Sequence, residues 1–147
     1  MVFDTNLIIG HVRRLERLPA QAVIPMVVAG ELEAFALKAD WGYQKVTFLQ
    51  TILDYYPLVE VSRSLTGLYA QVDAFSQGKL RSNPLPPGMS ARNMGKNDLW
   101  IAATALYFDM DLHTTDGDFD HLPMFGLRLN KVLVVNSPDF HRFKANI

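Results

Sequence analysis

The chain has 147 residues, 49% of them apolar and 20% charged, with a net charge of −1 at neutral pH and no cysteine. That length and mixture suit one domain over 1–147 with a single core, and exclude a disordered chain. The missing cysteines exclude disulfide frameworks and thiolate metal sites, and the near-neutral balance argues against a protein that coats DNA nonspecifically.

The opening Met1-Val2-Phe3-Asp4 has no basic segment followed by an apolar stretch, so it does not read as a secretory signal. Val2–Asp4 reads as a first strand, followed by a helix that carries Arg13, Arg14 and Arg17. Ala22–Pro25 reads as a second strand. The uncharged apolar stretch Ala22–Gly30 falls far short of the roughly 20 residues of a membrane helix, and the expectation is a soluble, cytoplasmic protein. The following Met26–Ala36 segment is apolar enough for a buried helix. In 43–56, Val46, Leu49, Leu53 and Tyr56 recur at helical spacing, and Leu58–Val61 reads as a strand. A further helix is expected over 65–80 from Leu65, Leu68, Tyr69, Val72 and Phe75. Gly78–Gly95, with Pro84, Pro86 and Pro87, reads as a long loop. Leu99, Ala102, Ala103 and Leu106 predict a helix over 97–110, and Asp111–Thr114 and Val132–Val135 read as the last strands. Strands alternating with helices predict an α/β fold: a central parallel sheet of about five strands with helices on both faces.

Asp4 ends the first strand, at the carboxyl edge where open α/β sheets place their ligands, although an Asp there also caps a following helix. Glu31 lies inside the apolar Met26–Ala36 segment, where a carboxylate needs a partner or a metal; Glu33, two positions on, points elsewhere and is the solvated alternative. Asp98 stands in the first turn of the 97–110 helix, where the macrodipole favours a negative group. Asp116, Asp118 and Asp120 crowd a polar turn around Gly117, directly after a strand, and repel one another unless solvated or bound to a cation. Each signal alone is weak. Together they put four carboxylates on one edge of one sheet, where they cannot all stay ionised without a compensating charge. Oxygen-only ligands suit a hard cation, Mg²⁺ or Mn²⁺, and such a cation activates a phosphodiester towards water. Hydrolysis of a nucleic-acid backbone is the reaction class that follows; the same chemistry serves DNA and RNA.

Phe3-Asp4-Thr5-Asn6, Gly30-Glu31-Leu32, Asn97-Asp98-Leu99-Trp100-Ile101-Ala102-Ala103-Thr104-Ala105 and Thr114-Thr115-Asp116-Gly117-Asp118-Phe119 together resemble the PIN-domain family, in particular VapC-like toxins of toxin–antitoxin pairs. The third segment is the most specific, and the likeness spans essentially the whole chain. The resemblance implies a three-layer fold, a divalent-metal endoribonuclease, a homodimer, and a cognate antitoxin whose C-terminal segment enters the active-site groove. It makes Asp4 and Asp98 metal ligands, Glu31 a ligand or general base, and Asp116 the fourth acid, with Asp118 the alternative for that role. Thr5 and Asn6 are caps or hold a metal-bound water, and Thr115 is expected to orient water or metal.

RNA needs cations beside such a pocket. Lys79, Arg81, Arg92 and Lys96 fall in a segment, 74–97, without an acidic residue, and Arg13, Arg14 and Arg17 form a second group in the first helix. Arg92, Lys96, Arg13 and Arg14 are therefore the candidates for substrate contact, against the plainer reading that they keep a surface solvated. Trp100 is expected in the core, while Trp41 and Tyr43 suit either base stacking or a dimer interface. Two rivals remain in view. A noncatalytic PIN-like scaffold that binds RNA or protein is disfavoured by the intact acidic set. A phosphoacceptor signalling domain would want paired acids after the first strand, where this chain has Thr5-Asn6.

Overall fold

In the computed structural model, which describes residues 1–132, every strand pairing is parallel. The strands are β1 (Val2–Phe3), β2 (Ile24–Pro25), β3 (Leu58–Val59), β4 (Leu112–Thr114) and β5 (Leu129–Lys131). β1, β4 and β5 form one ladder in that order, β2 pairs with β3, and a bridge between Val2 and Val23 joins the two ladders. The resulting order is β3-β2-β1-β4-β5. From β1 the chain first builds outward to β2 and β3, then returns to lay β4 and β5 on the other side. The sheet therefore reverses its winding between β1 and β4, and the crevice beyond the carboxyl ends of these two strands is its switch point.

The helices are α1 (Thr5–Arg14), α2 (Met26–Lys38), α3 (Tyr43–Tyr55), α4 (Thr66–Ser76) and α5 (Lys96–Tyr107). α1 packs with α2 and α3, and α4 with α5. α2 also meets α5, which joins the two groups of helices beside the sheet. α5 is buried nearly all round, through Leu99, Ile101, Ala102, Ala103, Thr104 and Ala105, and its small side chains let neighbours approach closely. The core joins Val2, Ile8, Val12, Ile24, Leu32, Leu49, Ile101, Leu112 and Phe119. Trp100 is half-buried rather than central and packs on Tyr69 with ring centroids 4.3 Å apart. Trp41 packs edge-on against Phe35, and Tyr43 is 88% exposed.

Several boundaries differ from the sequence expectation for identifiable reasons. β2 ends at Pro25, which has no N–H to give a ladder, and α2 starts at once. α1 ends at Arg14 because Leu15 takes a left-handed conformation and turns its N–H back to His11 and Val12; Arg17 lies beyond the helix rather than in it. The helix expected over 65–80 stops at Ser76, and its first residue, Leu65, closes a 3-10 turn. The last strand starts at Leu129, earlier than the expected Val132–Val135. Val132 still donates its N–H to Thr114 O at 2.8 Å, and 133–135 lie outside the described residues. No helix among the described residues is long and apolar enough to cross a membrane.

Leu112 is fully buried and sits between Val2 of β1 and Leu129 of β5. Its truncation leaves a cavity at the middle of the sheet, so Leu112→Ala is expected to cost about 2–5 kcal/mol in urea unfolding.

Candidate metal centre

Asp4 leaves the end of β1 and caps α1, its Oδ1 accepting the Thr5 N–H at 2.7 Å. Its Oδ2 accepts the Thr114 hydroxyl, also at 2.7 Å, so the ends of the two central strands are tied across the switch point. The capping and the site-facing readings of Asp4 thus hold together in one side chain. Thr114 further accepts the Asp116 N–H at 2.9 Å. Asp116 in turn caps the short 3-10 turn Gly117–Phe119, where the Asp118 N–H binds its Oδ1 at 3.0 Å. This local folding turns both aspartates towards α5.

There Asp98, in the first turn of α5, comes within reach: one carboxylate oxygen from each of Asp98, Asp116 and Asp118 lies within 4.8 Å of the others. The structure brings together both candidates for the fourth acid. Asp120, the third aspartate of the run, turns away and pairs with Lys131 Nζ at 2.8 Å. Asp4 is outside this closest trio, although its negative charge acts on Asp98 more strongly than that of Asp116, Asp118 or Glu31. Glu31 enters from α2 half-buried, and its Oε1 is buried without a hydrogen bond among the described residues; the Thr5 hydroxyl is in the same condition. Glu33 lies exposed and accepts from Gln50.

Burial and like charge both act on these acids. Desolvation raises Asp4 above the usual carboxylate range, opposed by the hydrogen bonds from Thr114 and Thr5. Desolvation, then the charge of Asp4, raises Glu31, with the nearby Thr5 and Asn97 side chains pulling the other way. Asp98 has the worst surroundings. Burial first, then Asp4, Asp116, Asp118 and Glu31, push it from the ordinary 3.8 to about 7. Its place at a helix N-terminus contributes about 0.3–1 kcal/mol in favour of the charge, less than the roughly 1.4 kcal/mol of one pKa unit, so crowding wins.

The donor set fits a hard divalent cation. It is all oxygen, three carboxylates converge within coordination range after small adjustment, and a buried carboxylate oxygen and hydroxyl beside them lack partners. Asp4 keeps lone pairs free on both oxygens despite its two hydrogen bonds.

The basic candidates divide. Lys96 opens α5 two residues before Asp98 and is exposed. Arg92 reaches the acidic turn itself, its Nη1 donating to Gly117 O at 3.0 Å. Arg13 and Arg14 stand in the last turn of α1, about 15 Å along the helix from Asp4 at 1.5 Å per residue. Arg13 stacks over the Phe35 ring and Arg14 pairs with Glu16, so the structure does not bring them to the centre. Thr114 is the residue the sequence reading passed over in favour of Thr115. The period of two would have found it: Leu112 and Thr114 are fully buried on one face of β4, with His113 between them half-buried.

Residues 1–123 match the family model of the PIN domain. No curated protein matches the chain. Among solved structures, VapBC2 from Rickettsia felis bound to a DNA fragment from its promoter aligns with a TM-score of 0.63 at 19% identity, over 90% of this chain and 99% of that one. VapBC-5 from Mycobacterium tuberculosis, of the VapBC family of toxin–antitoxin systems, aligns at 0.61 and 22% identity, covering 90% and 97%. FitAcB from Neisseria gonorrhoeae aligns at 0.62 and 17% identity, covering 87% and 94%. At these identities the likeness shows the fold.

The acids also predict a pH dependence. A carboxyl raised on folding holds a proton that the unfolded chain has already released, so the metal-free protein loses stability as pH climbs from about 4 to about 7. Asp98→Asn is expected to flatten that slope and to raise the metal-free Tm at pH 8, measured by calorimetry with chelator present. A slope and Tm equal to those of the parent protein would contradict the crowding of Asp98 by its neighbours.

Proposed function

The chain belongs to the PIN-domain family, and from that premise we propose that it is a Mg²⁺- or Mn²⁺-dependent endoribonuclease, the toxin of a VapBC-type toxin–antitoxin pair. The observation that carries this reading is the convergence of Asp98, Asp116 and Asp118 oxygens within 4.8 Å, beside Asp4 and the unpartnered Glu31 Oε1, at the switch point of the sheet. In this reading Asp98, Asp116 and Asp118 hold the cation and Asp4 completes its shell through its remaining lone pairs. A bound divalent cation would polarise the phosphodiester and make water a better nucleophile at neutral pH.

The protein's own side chains have separable tasks. Thr114 fixes the Asp4 carboxylate by its hydroxyl and sets the Asp116 backbone. Glu31 offers a free, desolvated oxygen of raised basicity, suited to accept the proton of an attacking water. Lys96 and Arg92 flank the acids and neutralise phosphates on either side of the scissile bond. The antitoxin partner is supported by the likeness to chains solved as VapBC toxin–antitoxin assemblies. A homodimer and a cytoplasmic site of action belong to the same reading.

Asp4→Asn and Asp98→Asn are each expected to abolish Mn²⁺-dependent cleavage of RNA by a protein that remains folded, and to relieve the growth arrest that expression without antitoxin causes. Cleavage is followed on labelled RNA and on the same sequence as single-stranded DNA. Full cleavage by either variant would remove the acids from the chemistry. A wild-type protein that binds RNA but cleaves neither substrate would favour the noncatalytic scaffold, and one that cuts DNA alone would change the substrate.

Lys96 gives a second test. Replaced by Ala in the Asp98→Asn background, it is expected to lower RNA affinity and to reduce the slope of log affinity against log salt by about 1, as one fewer phosphate is neutralised. An unchanged slope would move the RNA path away from the start of α5.

A further inference from the structure

We propose that Arg92 is a positioning residue for the metal centre: it clamps the Gly117 carbonyl and so holds Asp116 and Asp118 in the arrangement that a divalent cation requires. This rests on the metal-dependent reading above and assigns a task within it that a phosphate contact would not supply.

The geometry is that of a strut fixed at both ends. The Arg92 backbone N–H donates to the carbonyl of Ser76, the last residue of α4, at 2.6 Å. Ser76 is itself immobilised: it is fully buried, and its hydroxyl lies 2.7 Å from His121 Nε2. At the other end, Arg92 Nη1 donates to Gly117 O at 3.0 Å. That oxygen also accepts the Asp120 N–H at 3.1 Å, which occupies one of its two lone pairs. Gly117 is the residue between Asp116 and Asp118, so displacement of its carbonyl moves both carboxylates together. Two cross-links therefore run in parallel from the end of α4 to the acidic turn, Ser76–His121 inside the core and Arg92–Gly117 at the surface.

The turn needs an external restraint. Asp116 and Asp118 are separated by a glycine, the least restricted residue of the backbone, and both are pushed apart from Asp98 by like charge. A planar, permanently charged guanidinium that donates one N–H to the connecting carbonyl resists that opening, and hydrogen bonds from a charged donor are among the stronger ones.

Two roles for this arginine predict opposite signs. If Arg92 were only a positive charge near the site, its removal would strengthen the attraction for a cation. If it holds the turn, its removal weakens cation binding despite that gain. Mn²⁺ affinity is measured by calorimetry on full-length protein without RNA, for the wild type, Arg92→Ala and Arg92→Lys. Loss of an outer contact that orients ligands typically costs 10–100-fold in metal affinity, so Arg92→Ala is expected to raise the Kd for Mn²⁺ by about 10-fold or more. Arg92→Lys keeps the charge but carries its donor on a shorter stem without the planar guanidinium that reaches Gly117 O, and is expected to fall between the two. If Arg92→Ala folds poorly, the lysine variant carries the test, because its charge is unchanged and its Kd must still rise. A Kd that is unaltered or lower in the folded variants would overturn the clamp while leaving the metal reading intact. A wild type that binds no Mn²⁺ at millimolar concentration would instead sink the metal reading, and the clamp with it.

Discussion

The Thr114 hydroxyl donates to Asp4 Oδ2 and accepts from the Asp116 N–H, so one buried oxygen joins the end of β1, the end of β4 and the start of the acidic turn. Few other positions could serve. β1 and β4 are adjacent because the sheet reverses its winding between them, and only there do two strand ends face one crevice without a crossover helix covering it. Without that bond Asp4 would retain only its cap on α1, and the turn would lose the contact that fixes its first residue. The carboxylates would then be free to relax into water, where their repulsion is small. The same bond that assembles the site therefore maintains its electrostatic strain.

That strain explains the unusual condition of Asp98. Two helices, α1 and α5, begin at this edge, and their N-termini supply partial positive charge to Asp4 and Asp98. Arg92 and Lys131 add whole charges, but on Gly117 O and on Asp120, outside the carboxylate trio. Compensation is partial by construction: enough for the acids to be gathered, too little for all of them to ionise comfortably near pH 7. Stability given up at one edge is recovered in the core, where α5 is packed on nearly every side.

Much of this was legible in the residues, and what escaped has physical reasons. The parallel sheet follows from the alternation of short apolar runs with helical periods, and β1 through β4 fall inside the segments expected for them. Asp98 was legible because an acid opening a helix that is apolar all round has no solvent side to occupy. The strand ends were not, because they depend on single events: a proline without an N–H at 25 and a left-handed turn at Leu15. The choice between Asp116 and Asp118 was not legible either. It depends on a 3-10 turn that aims both at Asp98, whereas two carboxylates two residues apart would be separated on a regular helix. Arg13 and Arg14 are close to Asp4 in sequence, but the length of α1 separates them from it, and their side chains meet Phe35 and Glu16.

The long 78–95 segment links these observations to the overall charge. A chain with net charge −1 cannot attract a polyanion through its general field, so any attraction must come from local placement. The stretch from Ala74 to Asn97 has four cations and no acid, and it runs from the end of α4 to the start of α5, the helix that carries Asp98. The connection brings charge to this edge at its C-terminal end, where Arg92 is held on Ser76 and Gly117 and Lys96 stands in the first turn of α5. α4 and α5 themselves pack against each other through side chains such as Tyr69 and Trp100, so their contact does not depend on the connection between them.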